Sequence, residues 1–215
     1  MKKLLRKECL LTAPAVTYFF LIFSFMAVIP GYPIAVGAFF LCLGLFYSYQ
    51  SAREANDILY TAMLPIKKTD VVRAKFVFAV FYELISLAVI TVLTAVRMTA
   101  LSHAAVYENN TMMNANLAYI GWVMMIFAAF SMVFIAGFFK TAYKIGAPFI
   151  KFCITSTLII VASEALHHIP GLEGLNSTCF DTIQLIPLLA GALIFIGGQL
   201  LAVRLSIKRF DSIDL

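Results

Sequence analysis

Apolar runs separated by short polar breaks make up most of the chain. They fall at about 13–29, 34–49, 76–96, 117–139, 149–166 and 183–207. A crossing of the hydrocarbon needs roughly 17–25 such residues, and all but the second run reach that length. The pattern predicts an all-α integral membrane protein of six transmembrane helices forming a single domain over 1–215. Ile29-Pro30-Gly31-Tyr32-Pro33 reads as a tight turn, which makes the first two spans a hairpin. Ahead of the first span, Lys2, Lys3, Arg6 and Lys7 alternate with Leu4, Leu5, Leu10 and Leu11, as in a helix over 1–12 lying at the headgroup level.

One polar interruption stands out, SAREANDILYTAMLPIKKTDVVRAK at 51–75. Ala52, Ala55, Leu59, Ala62 and Met63 recur at steps of three and four, while Arg53, Glu54, Asn56, Asp57 and Thr61 fill the other face. That spacing predicts a short amphipathic helix over about 52–64. Ser51 and Glu54 have the spacing of a capping box. Pro65 stops the helix because it lacks an amide and disfavours helical geometry at Leu64. Thr69 or Asp70 then caps the third span. The basic residues Lys67, Lys68, Arg73 and Lys75 turn this stretch into a charged elbow.

Composition agrees with the pattern. Of 215 residues, 62% are hydrophobic and only 13% charged, against about a quarter charged in soluble domains; mean hydropathy is +0.95. The net charge of +5 is a matter of topology. Fifteen of the sixteen lysines and arginines fall before the first span, in 51–75, around Lys140, Lys144 and Lys151, or at Arg204, Lys208 and Arg209. The other face has Arg97 alone. This bias places both termini and the elbow in the cytosol, and no nucleic-acid partner is needed to account for the charge. Cys9, Cys42, Cys153 and Cys179 are scattered without metal or disulfide spacing and read as small core residues.

Candidate chemistry is sparse. No GxxxxGK[ST] occurs, so the chain lacks a Walker cradle for nucleotide phosphates. Gly197-Gly198-Gln199 sits inside the last apolar run and reads as coincidence. Glu83 lies about two turns past Lys75, roughly 12 Å along the helix. An ionised carboxylate there costs about 2.5–3.5 kcal/mol, so it must face the bundle interior, a cavity or a partner. It is either part of a substrate path or a structural partner for the Tyr47-Ser48-Tyr49 hydroxyls. Glu164, His167 and His168 share one helical face, but the HExxH pattern is missing and Pro170 ends the helix, which favours a solvated helix end over a metal site. Gly37, Gly44 and Ser48 form a small-residue face on the second span, suited to close helix packing.

The elbow resembles the small ABC-2 type transporter permeases, on Glu54, Asp57, Leu64-Pro65, Lys67-Lys68, Val71-Val72 and Lys75-Phe76. The resemblance implies a permease subunit of an ATP-binding-cassette exporter in the bacterial plasma membrane, with no enzymatic activity of its own. It implies a dimeric pathway and cytosolic ATPase subunits that carry the ATP and magnesium, with no cofactor in this chain. Glu54, Asp57, Leu59, Leu64, Pro65, Lys67, Lys68, Arg73 and Lys75 would dock the ATPase. Membrane lipids are the remaining partner, through the basic flanks. Peptides, antibiotics and other amphipathic compounds are the expected cargo, and antimicrobial resistance is one expected role. Importer permeases are a poorer match, because Tyr60 stands where their glycine belongs and Leu64-Pro65 follows too early. Two other readings stay open: an ATP-independent immunity or accessory protein, and a membrane-embedded hydrolase.

Overall fold

The computed structural model describes residues 2–108 and 110–213, and among these there is no β-strand. We number the helices α1 (Lys2–Thr12), α2 (Ala15–Val28), α3 (Val36–Glu54), α4 (Asp57–Ala62), α5 (Lys68–Thr99), α6 (Ala105–Glu108), α7 (Leu117–Phe138), α8 (Gly146–Leu166) and α9 (Thr182–Asp211). By length and composition α5, α7, α8 and α9 can each cross a membrane, and the bent pair α1–α2 adds a fifth candidate. The expected count is six; α3 falls short on this measure because its last turns, from Tyr47 to Glu54, are polar.

α7 is the axis of the bundle. In its most apolar stretch 67% of residues are buried, against 17% in α8, so α8 lies at the outside of the bundle with most of its apolar side chains exposed. Phe130, Phe134 and Phe138 of α7 form an aromatic column with Tyr49 and Phe152; ring centroids are 4.8–5.3 Å apart. α7 and α9 cross at glycines: a Cβ on Gly121 would meet the Pro187 backbone, and one on Gly191 would meet the Gly121 backbone. In lipid, such backbone proximity supplies the van der Waals contact that associates helices.

α2 is bent 89° from α1, at the extended residues Ala13 and Pro14. Its last nine residues, Phe20–Val28, are 3₁₀-helical. This form rises ~2.0 Å per residue, so the 14 residues of α2 span roughly 25 Å, close to the hydrocarbon thickness. Its carbonyls are completed by side chains of other elements: Thr17 accepts from the Tyr82 hydroxyl at 3.1 Å, Ala27 from Arg97 at 2.8 Å and Val28 from Tyr107 at 3.0 Å. The small-residue face of α3 receives this segment, with Gly37 against Phe23 and Met26 and Gly44 against Phe20 and Tyr82.

The elbow departs from its sequence reading. α3 continues five residues past the expected end at Tyr49 and contains Ser51, so no capping box forms with Glu54. Tyr49 and Ala52 are buried on one face and keep the helix going, while Gln50 donates to Glu54 at 3.0 Å. The break comes at Asn56, with φ 49° in the left-handed region that asparagine tolerates. The helix that follows is therefore six residues long, not the thirteen of 52–64. Pro65 does end the turn after it, but α5 starts at Lys68 with Lys67 as its uncapped N-cap, so neither Thr69 nor Asp70 caps it. All four cysteines are free.

Candidate functional site: a pinned elbow and a buried carboxylate

Four charges from three separate segments meet beneath the elbow. Lys75, about two turns into α5, is 3% exposed and lies 2.9 Å from Glu8 of α1 and 3.3 Å from Asp57 of α4. Lys7 reaches both Asp57 oxygens, at 2.7 and 2.8 Å, the Thr61 hydroxyl at 2.9 Å and Glu8 at 3.2 Å. Two cations and two carboxylates balance one another. The Lys75 ammonium also sits 5.7 Å above the Tyr49 ring. Ionised groups taken out of water require this kind of pairing, since each left alone would cost several kcal/mol. The result ties α1, α4 and α5 into one unit.

The nine residues expected to form one docking face are therefore divided. Asp57 and Lys75 point inward into the ion-pair cluster. Lys68 is half-buried and donates to the Ile213 carbonyl at 2.6 Å. Glu54, Leu59, Leu64, Pro65, Lys67 and Arg73 point outward. With Tyr60 and Met63, which are 65% and 72% exposed, Leu59 and Leu64 form an apolar outer surface on the elbow. Clefts of about 190 and 410 Å³ flank it, one lined by Arg53, Ile58 and Tyr143, the other by Leu11, Tyr60 and Leu64. Sequence reasoning missed Glu8; its signal is a lone carboxylate at the end of a basic segment.

Glu83 is fully buried. Gln199 of α9 donates to one carboxylate oxygen at 2.6 Å, and the Ser131 hydroxyl lies 3.5 Å from the other. These partners replace the Tyr47-Ser48-Tyr49 hydroxyls expected from sequence. Ser131 belongs to a π-helical stretch, Phe130–Ile135, an irregularity often found at functional positions. Glu83 is thus enclosed by α5, α7 and α9 in this conformation and faces no open path. Gln199, set aside as part of a coincidental Gly-Gly-Gln, was readable as a polar residue within an apolar run.

At the opposite end, Glu164 accepts from the Met113 amide at 2.9 Å, and the His167 ring nitrogens lie 3.4 Å from the Ser163 carbonyl and 3.3 Å from the Thr111 carbonyl. These contacts fasten a loop to the end of α8. Among the described residues no three His, Cys, Asp or Glu side chains are placed to hold a metal.

Apolar helices around a buried axis, with charged groups gathered at one end, define a multi-pass membrane protein. The sequence profile of the family described as ABC-2 family transporter protein matches residues 3–211. The chain belongs to this family, and is a membrane permease of the ABC transporters. Comparison with curated proteins and with solved structures finds no match.

Proposed function

We propose that the chain is the permease subunit of an ATP-driven exporter, crossing the bacterial plasma membrane six times with both termini in the cytosol. Two such chains, identical or paired with a homologue, form the pathway above two ATPase subunits. The charge bias supports the orientation, and the extended 3₁₀ geometry of α2 supports its counting as a full crossing, with α3 returning beside it. Peptides, antibiotics and other amphipathic compounds are the proposed cargo.

One observation carries the mechanism: a six-residue helix exposes apolar side chains outward while its inner side is pinned by buried ion pairs to α1 and α5. A surface exposing Leu59, Tyr60, Met63 and Leu64 fits a cleft on another protein, and the Asp57 contacts carry its displacement into the spans. The ATPase can shift the permease between inward- and outward-facing states only by gripping this elbow differently in each.

The test uses the permease expressed with a candidate ABC ATPase subunit from the same genome. Leu59→Ser with Leu64→Ser should leave insertion and thermal stability unchanged and abolish both ATPase co-purification and transport. Retained transport by this variant sinks the proposal. Substituting Asp57 would be a poorer test, because it also takes a carboxylate from both Lys7 and Lys75.

A further inference from the structure

We propose that a cavity at the cytosolic ends of α7, α8 and α9 binds the phosphate headgroup of an anionic phospholipid. The cavity has a volume of about 420 Å³ and is lined by Lys140, Lys144, Lys151 and Arg209 together with apolar walls that include Met132 and Pro148. No carboxylate lines it, and among the described residues none of the four cations forms an ion pair with an acid. Contrast the elbow, where every cation in the cluster has a carboxylate beside it. Four like charges around one cavity repel one another, and an anion relieves that repulsion.

The walls are fixed in place. A Cβ on Gly137 would lie 3.0 Å from Pro148, so the last turn of α7 and the first turn of α8 are in close contact. Thr141 accepts amide bonds from Lys144 at 2.9 Å and Tyr143 at 3.4 Å and shapes the connecting turn. Arg209 spends one donor on the Ala136 carbonyl, leaving its other N–H groups for a ligand.

A lipid fits better than an acidic protein surface because α8, which supplies Lys151 and Pro148 to the cavity, continues beyond it with an exposed apolar track. Ile150, Ile154, Leu158 and Val161 of α8 are 62%, 59%, 65% and 56% exposed, at steps of three and four on one helical face. They begin level with Lys151 and run away from it towards the bilayer centre. Basic pockets between spans on the cytosolic side are suited to anionic headgroups, at about 1 kcal/mol per basic residue. The inference rests on the orientation proposed above, but its test needs no ATPase, so the two fail separately.

The full chain, delipidated in neutral detergent, is titrated with phosphatidylglycerol, phosphatidylcholine or inorganic phosphate while its melting temperature is followed. Phosphatidylglycerol should raise the melting temperature; phosphatidylcholine and free phosphate should not. Lys140→Gln with Lys144→Gln and Lys151→Gln should weaken the lipid response roughly 100-fold in concentration, without moving the lipid-free melting temperature. The same three lysines replaced by arginine should keep the response, which separates charge loss from misfolding. Lys2→Gln with Lys3→Gln and Arg6→Gln, at the distant basic end of α1, should also keep it. The proposal is overturned if phosphatidylcholine or free phosphate acts equally. It is overturned likewise if the N-terminal variant loses as much, or if the glutamine variant keeps the lipid response.

Discussion

Two irregular regions close the ends of this bundle, and they are built from different chemistry. On the elbow side, Lys7, Glu8, Asp57 and Lys75 bind side chain to side chain across sequence separations of 50 and 67 residues. On the opposite side neutral amides bind backbone. Asn116 donates to the Leu175 and Ser177 carbonyls at 2.8 and 3.1 Å while capping α7 through the Tyr119 amide. Asn114 and Gln184 do the same for their neighbours, and Asn110 accepts from Gly31 of the α2–α3 turn. Even Arg97, the lone cation there, spends itself on the Ala27 carbonyl and Asn114, with its guanidinium 3.8 Å over the Tyr107 ring. An amide bonded to main chain simply closes a loop. The charged cluster joins three helices from below and leaves the elbow's outer surface uncommitted.

The largest expected effect is on the charged side. Lys75→Met leaves Glu8 and Asp57 to share Lys7 as their one remaining cation, with a net negative charge in the buried cluster, and should lower stability by about 3–5 kcal/mol, read by thermal or denaturant unfolding in detergent. Asn116→Ala on the amide side removes a cap and strands two carbonyls; a loss of about 2–3 kcal/mol is expected in the same assay. Replacing the charged cluster as a whole, by Lys7→Met, Glu8→Leu, Asp57→Leu and Lys75→Met together, should bring stability to within about 1–2 kcal/mol of the starting protein, since an apolar substitute removes the desolvation penalty too. Transport should nonetheless be impaired in that variant, because the elbow loses its specific tie to α1 and α5. If transport survives, the cluster only holds the fold together. The smallest effect of a single substitution belongs to the cluster's rim: Lys7→Gln, at a side chain 18% exposed, keeps a hydrogen-bonding head beside Asp57 and should cost less than Lys75→Met, about 1–2 kcal/mol.

Four of the six expected spans, α5, α7, α8 and α9, were legible in the sequence because lipid imposes a length and an apolarity that few residues can violate. The beginning of α7 and the end of α8 agree with the expected 117 and 166. The elbow was legible as a region but not in its geometry. A helix-period pattern over 52–64 did not reveal that Asn56 would adopt a left-handed conformation, since tertiary burial of Tyr49 and Ala52 decided how far α3 ran. Nor could spacing tell which charges of 51–75 would turn inward: the partner of Lys75 is Glu8, 67 residues away, and no local rule reaches so far. The same holds for Glu83, whose partner Gln199 is 116 residues distant. The 3₁₀ form of Phe20–Val28 has no signature in a uniformly apolar run.

The central claim, that the exposed elbow is held by an ATPase, is tested most directly by photo-cross-linking. A photoreactive phenylalanine analogue at Tyr60 or Met63, both outward-facing, should form an adduct with the ATPase in membranes expressing both chains. The same probe at Ile154, on the lipid-facing side of α8, should label lipid alone. Adducts to lipid alone at Tyr60 and Met63, with the ATPase present and transport running, would contradict the account.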